Sequence, residues 1–181
     1  MTARWLLPVM ALMAASTSGG NLGKALEVYS QWHSFQTLLL SVFMVTVGFT
    51  LAMMILTVYL MRLILHGLPS AAKVLSVFLP IAPTSQTGYA ILLIGQNFHK
   101  ILPFSSQGSN ILNYASAGIV IEVVCTCGSF LLWSLGTMWM LYALLAVYSG
   151  VRQSKIPFEA SFWGLVFPNV TTLFNHLLGL Y

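Results

Sequence analysis

The residues best placed to do chemistry lie in the segment PFEASFWGLVFPN, which runs from Pro157 to Asn169. Phe158, Phe162 and Phe167 are spaced by four and five positions, so on a helix they fall near one face. Pro168 lacks the N–H that would bond the preceding turn, which predicts a kink or an interruption there. Bulky aromatic side chains beside such a break could line a pore and block it. The alternative is that these phenylalanines only pack against other helices or face lipid, and the sequence leaves both readings open.

The composition of the chain predicts a membrane protein. Of its 181 residues, 58% are hydrophobic and 6% are charged, whereas soluble domains carry about a quarter charged residues. So few polar groups could not cover the surface of a soluble fold, and the surrounding solvent must therefore be lipid. The net charge of +4 is small, and the basic residues lie between apolar runs. Nucleic acid is therefore not expected as a partner.

The polar residues do not form a set that could catalyse a reaction or hold a metal. The sequence shows no nucleophile–base pair, metal-ligand cluster or phosphate-binding loop, and the four histidines lie far apart or near the ends of apolar runs. Cys125 and Cys127 are separated by one residue, which is too tight for a usual disulfide or zinc pair. The sequence therefore predicts that the protein is not an enzyme and needs no cofactor.

Five apolar runs predict an all-α membrane protein, a single domain over 1–181 with about five transmembrane helices. The predicted spans cover residues 5–22, 35–65, 74–98, 117–148 and 158–181. The second run exceeds the ~20 residues that a span needs, which predicts a tilted helix or one that extends beyond the bilayer. The first run has an alternative reading as a secretory signal, because Arg4 precedes a short apolar core followed by small residues.

Three of these runs, the first, third and fifth, carry polar or helix-breaking residues where a span should be most apolar. Broken backbone is not tolerated against lipid, so the third run must face protein or a water-filled path, where its hydroxyl and carbonyl groups would be useful. The alternative for the third run is a polar loop that joins two half-helices. The candidate pore-lining residues are Pro8 and Ser16 in the first run, Pro83, Thr84, Gln86 and Gly88 in the third, and Pro168 in the fifth.

The basic residues predict how the spans are oriented. If there are five spans, one side of the membrane carries five basic residues and the other carries two. Cytoplasmic loops hold the excess of Lys and Arg, so the N-terminus is expected in the cytoplasm. The larger set comprises Arg4, Arg62, Lys73, Arg152 and Lys155, and the smaller set Lys24 and Lys100.

Four segments together resemble the tellurite-resistance/dicarboxylate transporter family. They are Trp5-Leu6-Leu7-Pro8 with the small residues after it, YLMRLILHGLP (59–69), FLPIAPTSQTGYAILLIG (78–95) and FEASFWGLVFPN (158–169). Each motif alone is weak, but four in the right order are fairly specific. This family includes fungal malate transporters, fungal sulfite efflux pumps, the bacterial tellurite-resistance protein and plant guard-cell anion channels, and the chain resembles the malate and sulfite branch more closely than the plant channels.

The resemblance implies a ten-helix bundle in which odd-numbered helices line a central pore. This chain would correspond to helices five to nine, so its first, third and fifth runs would line the pore. The gate of the family is a phenylalanine in the ninth helix, and the matching position is Phe167, with Phe162 as a second candidate. The tail after Asn169 does not match the family, and the first four helices and the tenth are missing, which suggests a fragment of a larger transporter.

The resemblance also implies the function. It predicts transmembrane transport of a small anion in the plasma membrane, first of all a C4-dicarboxylate such as malate. The alternatives are sulfite efflux, a voltage-dependent anion channel, or a truncated chain that only packs with other helices and transports nothing. Related bacterial proteins imply a homotrimer.

Overall fold

The computed structural model describes residues 6–67, 77–105 and 116–153. In this part of the chain the regular elements are four long helices: α1 (Leu7–Leu26), α2 (Gln31–His66), α3 (Ile81–Ser105) and α4 (Ala117–Gln153). The all-helical fold that the composition predicts is therefore confirmed over these residues.

The helices form two antiparallel hairpins, α1 with α2 and α3 with α4, and α3 also contacts both helices of the first hairpin. A tight connection joins α1 to α2, in which the Tyr29 and Ser30 N–H groups donate to the Leu26 carbonyl at 3.0 and 2.9 Å. Because α3 touches three other helices, it is the most enclosed element, and every residue from Ile81 to Gly88 is buried.

The α1–α2 hairpin is held by a regular pattern of small residues. The buried positions of α2 recur every three or four residues, which places them on one face of the helix. Several of them are small, which lets the backbones of the two helices approach closely. A Cβ added to Gly48 would lie 3.2 Å from Met13 Cγ of α1. The buried positions are Ser34, Leu38, Ser41, Val45, Gly48, Ala52, Leu56 and Tyr59.

Helices α2 and α4 are the elements suited to span a membrane. Among the described residues, Gln31–His66 and Ala117–Ser149 are long and apolar enough to cross one. The 36 residues of α2 extend about 54 Å at ~1.5 Å per residue, compared with a hydrocarbon core of about 30 Å. The helix must therefore tilt or project beyond the bilayer, and its polar first turns and the Arg62–His66 end are suited to project.

The helix bounds agree with the predicted spans in order but differ at their ends. The run 35–65 corresponds to Gln31–His66, and the run 117–148 to Ala117–Gln153. The run 5–22 continues to Leu26, and the run 74–98 is shifted toward the C-terminus as Ile81–Ser105. The fifth predicted span, 158–181, lies outside the described residues and stays a prediction.

The antiparallel hairpins group the charged residues at two ends of the bundle. Arg62 lies near the end of α2 and Arg152 near the end of α4. Farther back along these two helices, Tyr59 packs against Trp139 with ring centroids 6.2 Å apart. Lys24 lies in the last turn of α1 and Lys100 in the last turns of α3, and both are at the opposite end of the bundle. This grouping is the one expected from the order of the spans.

Candidate functional site

The polar segment of α3 is built into the first turns of a continuous helix. Pro80 precedes the helix, and Pro83 is its third residue, a position where the missing N–H has no partner within the helix in any case. The helix therefore runs unbroken from Ile81 to Ser105. The broken backbone that the sequence predicts at Pro83–Gly88 is not found, because both prolines fall at the helix start.

The two threonine hydroxyl groups of this segment bond to the helix itself. Thr84 Oγ1 donates to the Ile81 carbonyl at 2.9 Å, and Thr87 Oγ1 donates to the Pro83 carbonyl at 2.7 Å. A threonine hydroxyl has a single proton. These two side chains therefore supply no further donor, although each is completely buried in the bundle.

Gln86 connects α3 to α1 through side chains. Its Nε2 donates to Thr17 Oγ1 at 2.7 Å, and the Thr17 hydroxyl donates to the Met13 carbonyl at 2.9 Å. Gln86 is 5% exposed, and its Oε1 is buried without a partner among the described residues. The side chain thus presents one unused hydrogen-bond acceptor inside the bundle.

Asn97 makes a second connection between the same two helices. Its Nδ2 donates to the Gly20 carbonyl at 2.9 Å, and the side chain is buried. A Cβ added to Gly20 would lie 3.4 Å from Leu93 Cβ, so the Leu93 side chain packs closely against the α1 backbone at this point. Gln86 and Asn97 are eleven positions apart, about three helical turns, which places both amides on the face that α3 turns toward α1.

The outer faces of the helices differ in character. The exposed face of α1 carries Pro8, Ala11, Ala15, Ser18 and Leu22, mostly small or weakly polar residues at spacings of three and four. By contrast, α2 and α4 expose large apolar side chains. Examples are Phe43, Met54 and Ile64 on α2, and Val124, Phe130 and Leu131 on α4.

The α3–α4 hairpin brings a histidine and a carboxylate close together near the end opposite Arg62. His99 Nδ1 lies 3.6 Å from Glu122 Oε2, and about 40% of each side chain is exposed. An apolar cleft of about 140 Å³ lies between α2, α3 and α4, next to Ile94 and Cys125. The thiol of Cys125 borders the cleft and, like that of Cys127, is free. Among the described residues no group of three or more His, Cys, Asp or Glu side chains could hold a metal ion.

The candidate pore-lining residues occupy three different environments. Pro8 lies on the exposed face of α1, whereas Ser16 is buried and donates to the Ser41 carbonyl of α2 at 2.7 Å. The four candidates on α3 are buried in the bundle. The remaining three lie outside the described residues, so their roles as gate and pore lining stay predictions. The α3 set is Pro83, Thr84, Gln86 and Gly88, and the undescribed set is Phe162, Phe167 and Pro168.

Sequence reasoning did not select Thr17 and Asn97. Thr17 lies in a short polar stretch whose neighbours, Ser16 and Ser18, are equally polar, so composition alone could not choose among them. Asn97 could have been found, because it follows Gln86 by eleven positions, about three helical turns, and therefore shares its face, whereas the neighbouring Gln96 does not.

Comparison with known proteins gives a consistent set of relatives. The family model described as voltage-dependent anion channel (SLAC1) matches residues 1–177. The chain is 32% identical over 168 residues to the sulfite efflux pump SSU1 of Arthroderma otae, a match covering 93% of this chain and 42% of that protein. It is 28% identical over 183 residues to the SSU1 protein of Candida albicans, covering 93% of this chain and 35% of that protein.

A more distant relative comes from an archaeon. The chain is 26% identical over 164 residues to the uncharacterized transporter MJ0762 of Methanocaldococcus jannaschii, a match covering 91% of this chain and 42% of that protein. The chain thus spans less than half the length of these relatives. A search of the solved structures gave no significant match.

Proposed function

The chain belongs to the voltage-dependent anion channel family, and from that membership we propose that it takes part in moving sulfite outward across a membrane. The family is one of transporters and channels rather than enzymes. Sulfite is favoured because the fungal relatives reported above are named sulfite efflux pumps. The malate transport that the sequence resemblance first suggested has no such support from these named relatives, so malate becomes the comparison substrate.

The observation that carries this proposal is the unequal character of the helix faces. The large apolar side chains on α2 and α4, such as Phe43 and Leu131, are suited to lipid. The face of α1 that includes Ala15 and Ser18 is exposed but small and weakly polar, so lipid is a poor partner for it. A path shared with other helices of a larger bundle would use such a face.

The charge distribution supports an outward direction of transport. Helices α1 and α3 begin at the same end of the bundle as Arg62 and Arg152. Unpaired N–H groups and the helix dipole make a helix N-terminus attractive to anions. If the chain has five spans, five basic residues fall on this side and two on the other, so we infer that this end is cytoplasmic. An anion in the cytoplasm would therefore meet a positive potential at the entrance.

Passage beyond the entrance would depend on weak interactions. In the described part of α1, the basic residue is Lys24 in its last turn, and in α3 the basic residues are His99 and Lys100 near its end. No strong cation is therefore placed along the middle of these helices to trap the anion. Weak sites favour conduction because an ion must leave as readily as it binds. Phe167, with Phe162 as the second candidate, would occlude the path between transport events.

The test is sulfite flux in proteoliposomes that contain the purified chain, with malate and sulfate as comparison anions and protein-free vesicles as background. The variant Ala15→Leu adds bulk to the exposed face of α1 and should reduce sulfite flux severalfold. Thr50→Leu adds similar bulk to an exposed position of α2 and should leave flux unchanged.

Two results would contradict the proposal. Equal flux in Ala15→Leu and the native chain would show that the α1 face is not part of the path. An inserted native chain that carries none of the anions would favour the alternative that this chain only packs with other helices. Cross-linking in the same vesicles would test the homotrimer, which stays a prediction.

A further inference from the structure

We propose that Gln86 determines which protonation state of the oxyanion is transported: its Oε1 accepts a hydrogen bond from the O–H of a monoprotonated oxyanion. This inference rests on the proposed function and, for this step, places the anion between α1 and α3, on the buried side of α1 where Gln86 bonds to Thr17, rather than on the exposed face that carries Ala15 and Ser18. Hydrogen sulfite in its O-protonated form carries such a group, as does a dicarboxylate that retains one proton.

The hydrogen bonds around Gln86 fix the direction of its amide. The single proton of the Thr17 hydroxyl is donated to the Met13 carbonyl at 2.9 Å. Toward Gln86 the same oxygen can therefore only accept, and it does so from Nε2 at 2.7 Å. If the amide were turned around, the Thr17 hydroxyl could bond to Oε1 only by giving up its bond to the Met13 carbonyl, so the observed orientation is the one that keeps both hydrogen bonds. The network thus keeps the carbonyl oxygen of Gln86 as the free group.

The neighbouring threonines of α3 present no free donor. The protons of Thr84 and Thr87 are donated to carbonyls of α3 itself at 2.9 and 2.7 Å. Gln86 Oε1, in contrast, is buried with no donor from the described residues. A buried acceptor without a partner is costly, so a donor that reaches this atom is bound favourably.

The chemistry of the free group selects the ligand. A carbonyl oxygen repels a fully ionised oxyanion, because both present only lone pairs. It attracts an oxyanion that has kept one proton, because the O–H group then points at Oε1. Thr17 acts here as a positioning residue, since it holds Nε2 and so keeps the acceptor free.

The experiment measures initial flux in proteoliposomes over a pH series for the native chain, Gln86→Leu and Thr17→Val. Sulfite and malate both gain a proton as the pH falls, whereas chloride stays ionised and serves as the reference. In the native chain the sulfite-to-chloride ratio should rise as hydrogen sulfite forms. In Gln86→Leu that ratio should fall about two- to tenfold, the change that one hydrogen bond supports, and its pH dependence should flatten. Thr17→Val should flatten it partly.

Asn97→Leu is the matched control, because it removes the other buried amide that connects α3 to α1. It should lower the yield of folded protein and leave the sulfite-to-chloride ratio unchanged. If Gln86→Leu keeps the native ratio and pH profile, Oε1 holds only water and the proposal is wrong. If malate shows the Gln86-dependent pH profile and sulfite does not, the oxyanion recognised is a dicarboxylate.

A binding measurement separates this proposal from the proposed function. Sodium sulfite at low pH should raise the melting temperature of the detergent-purified native chain and of Asn97→Leu, but not that of Gln86→Leu. If the melting temperatures shift in this way but no sulfite flux is measured, the binding site at Gln86 is supported and transport by this chain alone is refuted. Equal shifts in Gln86→Leu and the native chain would overturn the Gln86 assignment whether or not flux is observed.

Discussion

Replacing Gly95 with alanine should separate the α3–α4 hairpin, because Gly95 is where these two helices approach most tightly among the described glycines of α3. A Cβ added there would lie 2.5 Å from Cys125 Cβ and 3.1 Å from Cys125 Sγ. Non-bonded carbon atoms normally stay about 3.5–4.0 Å apart. The helices must therefore move apart locally by about 1 Å. Rotation of the Cys125 side chain gives no relief, because Cβ is fixed to the backbone.

The expected cost follows from measurements of overpacked cores. Forcing an extra methyl group into a well-packed interface costs about 1–3 kcal/mol. For a chain of this length each kcal/mol corresponds to about 2–4 °C in melting temperature. The expected loss is therefore roughly 2–12 °C. The assay is the fraction of monodisperse protein that remains after heating in detergent, measured by size-exclusion chromatography.

The matched controls come from the same hairpin. Gly128 lies on α4 with no heavy atom within 4 Å of an added Cβ, so Gly128→Ala should be neutral or stabilise by up to ~1 kcal/mol through helix propensity. Cys125→Gly removes the obstructing Cβ and should restore most of the stability lost in Gly95→Ala. Cys125→Ala keeps that Cβ and should not. Similar melting temperatures for Gly95→Ala and Gly128→Ala would refute the close contact.

Three further predictions concern other parts of the chain. Phe167→Ala should raise sulfite flux severalfold by opening the predicted gate, whereas Phe43→Ala, on the exposed face of α2, should leave it unchanged. Equal sulfite flux in Phe167→Ala and the native chain would show that Phe167 is not the gate. Ser16→Ala should lower the free energy of unfolding by ~0.6 kcal/mol, and by no more than ~1.7, because it loses the bond to the Ser41 carbonyl. Ser18→Ala, on the exposed face of α1, should change the free energy of unfolding by less. SDS titration followed by circular dichroism measures both variants, and a larger loss in Ser18→Ala than in Ser16→Ala would contradict the α1–α2 interface. Glu122→Gln should cost under ~1 kcal/mol in the same titration, because its contact with His99 is 3.6 Å long and half-exposed. A larger loss would mean that the contact is buried in the bilayer-embedded protein.

Helix content and helix order could be read from the chain because both depend on local composition. An apolar run of about 20 residues has few alternatives to a helix in lipid, since its backbone groups must bond within the segment. The runs at 35–65 and 117–148 therefore correspond to α2 and α4. The ends were less well placed, because helices such as α2 continue beyond the apolar region that defines a run.

The environment of individual polar residues was not predictable in the same way. Pro83 was expected to break a helix, but its effect depends on whether a helix begins two residues before it or much earlier, and tertiary packing sets that start. Ser16 and Ser18 have the same side chain and lie two positions apart, yet one bonds to α2 and the other is exposed.

The sequence by itself determined that this is a helical membrane protein and which family it resembles, because composition and short motifs carry that information directly. Only the tertiary structure decided which helix faces meet. Periodicity tells which residues share a face, but not which neighbour that face contacts. The pairing of Gln86 with Thr17, 69 positions apart, arises because α3 packs against both helices of the first hairpin, and no local feature of either segment specifies that contact.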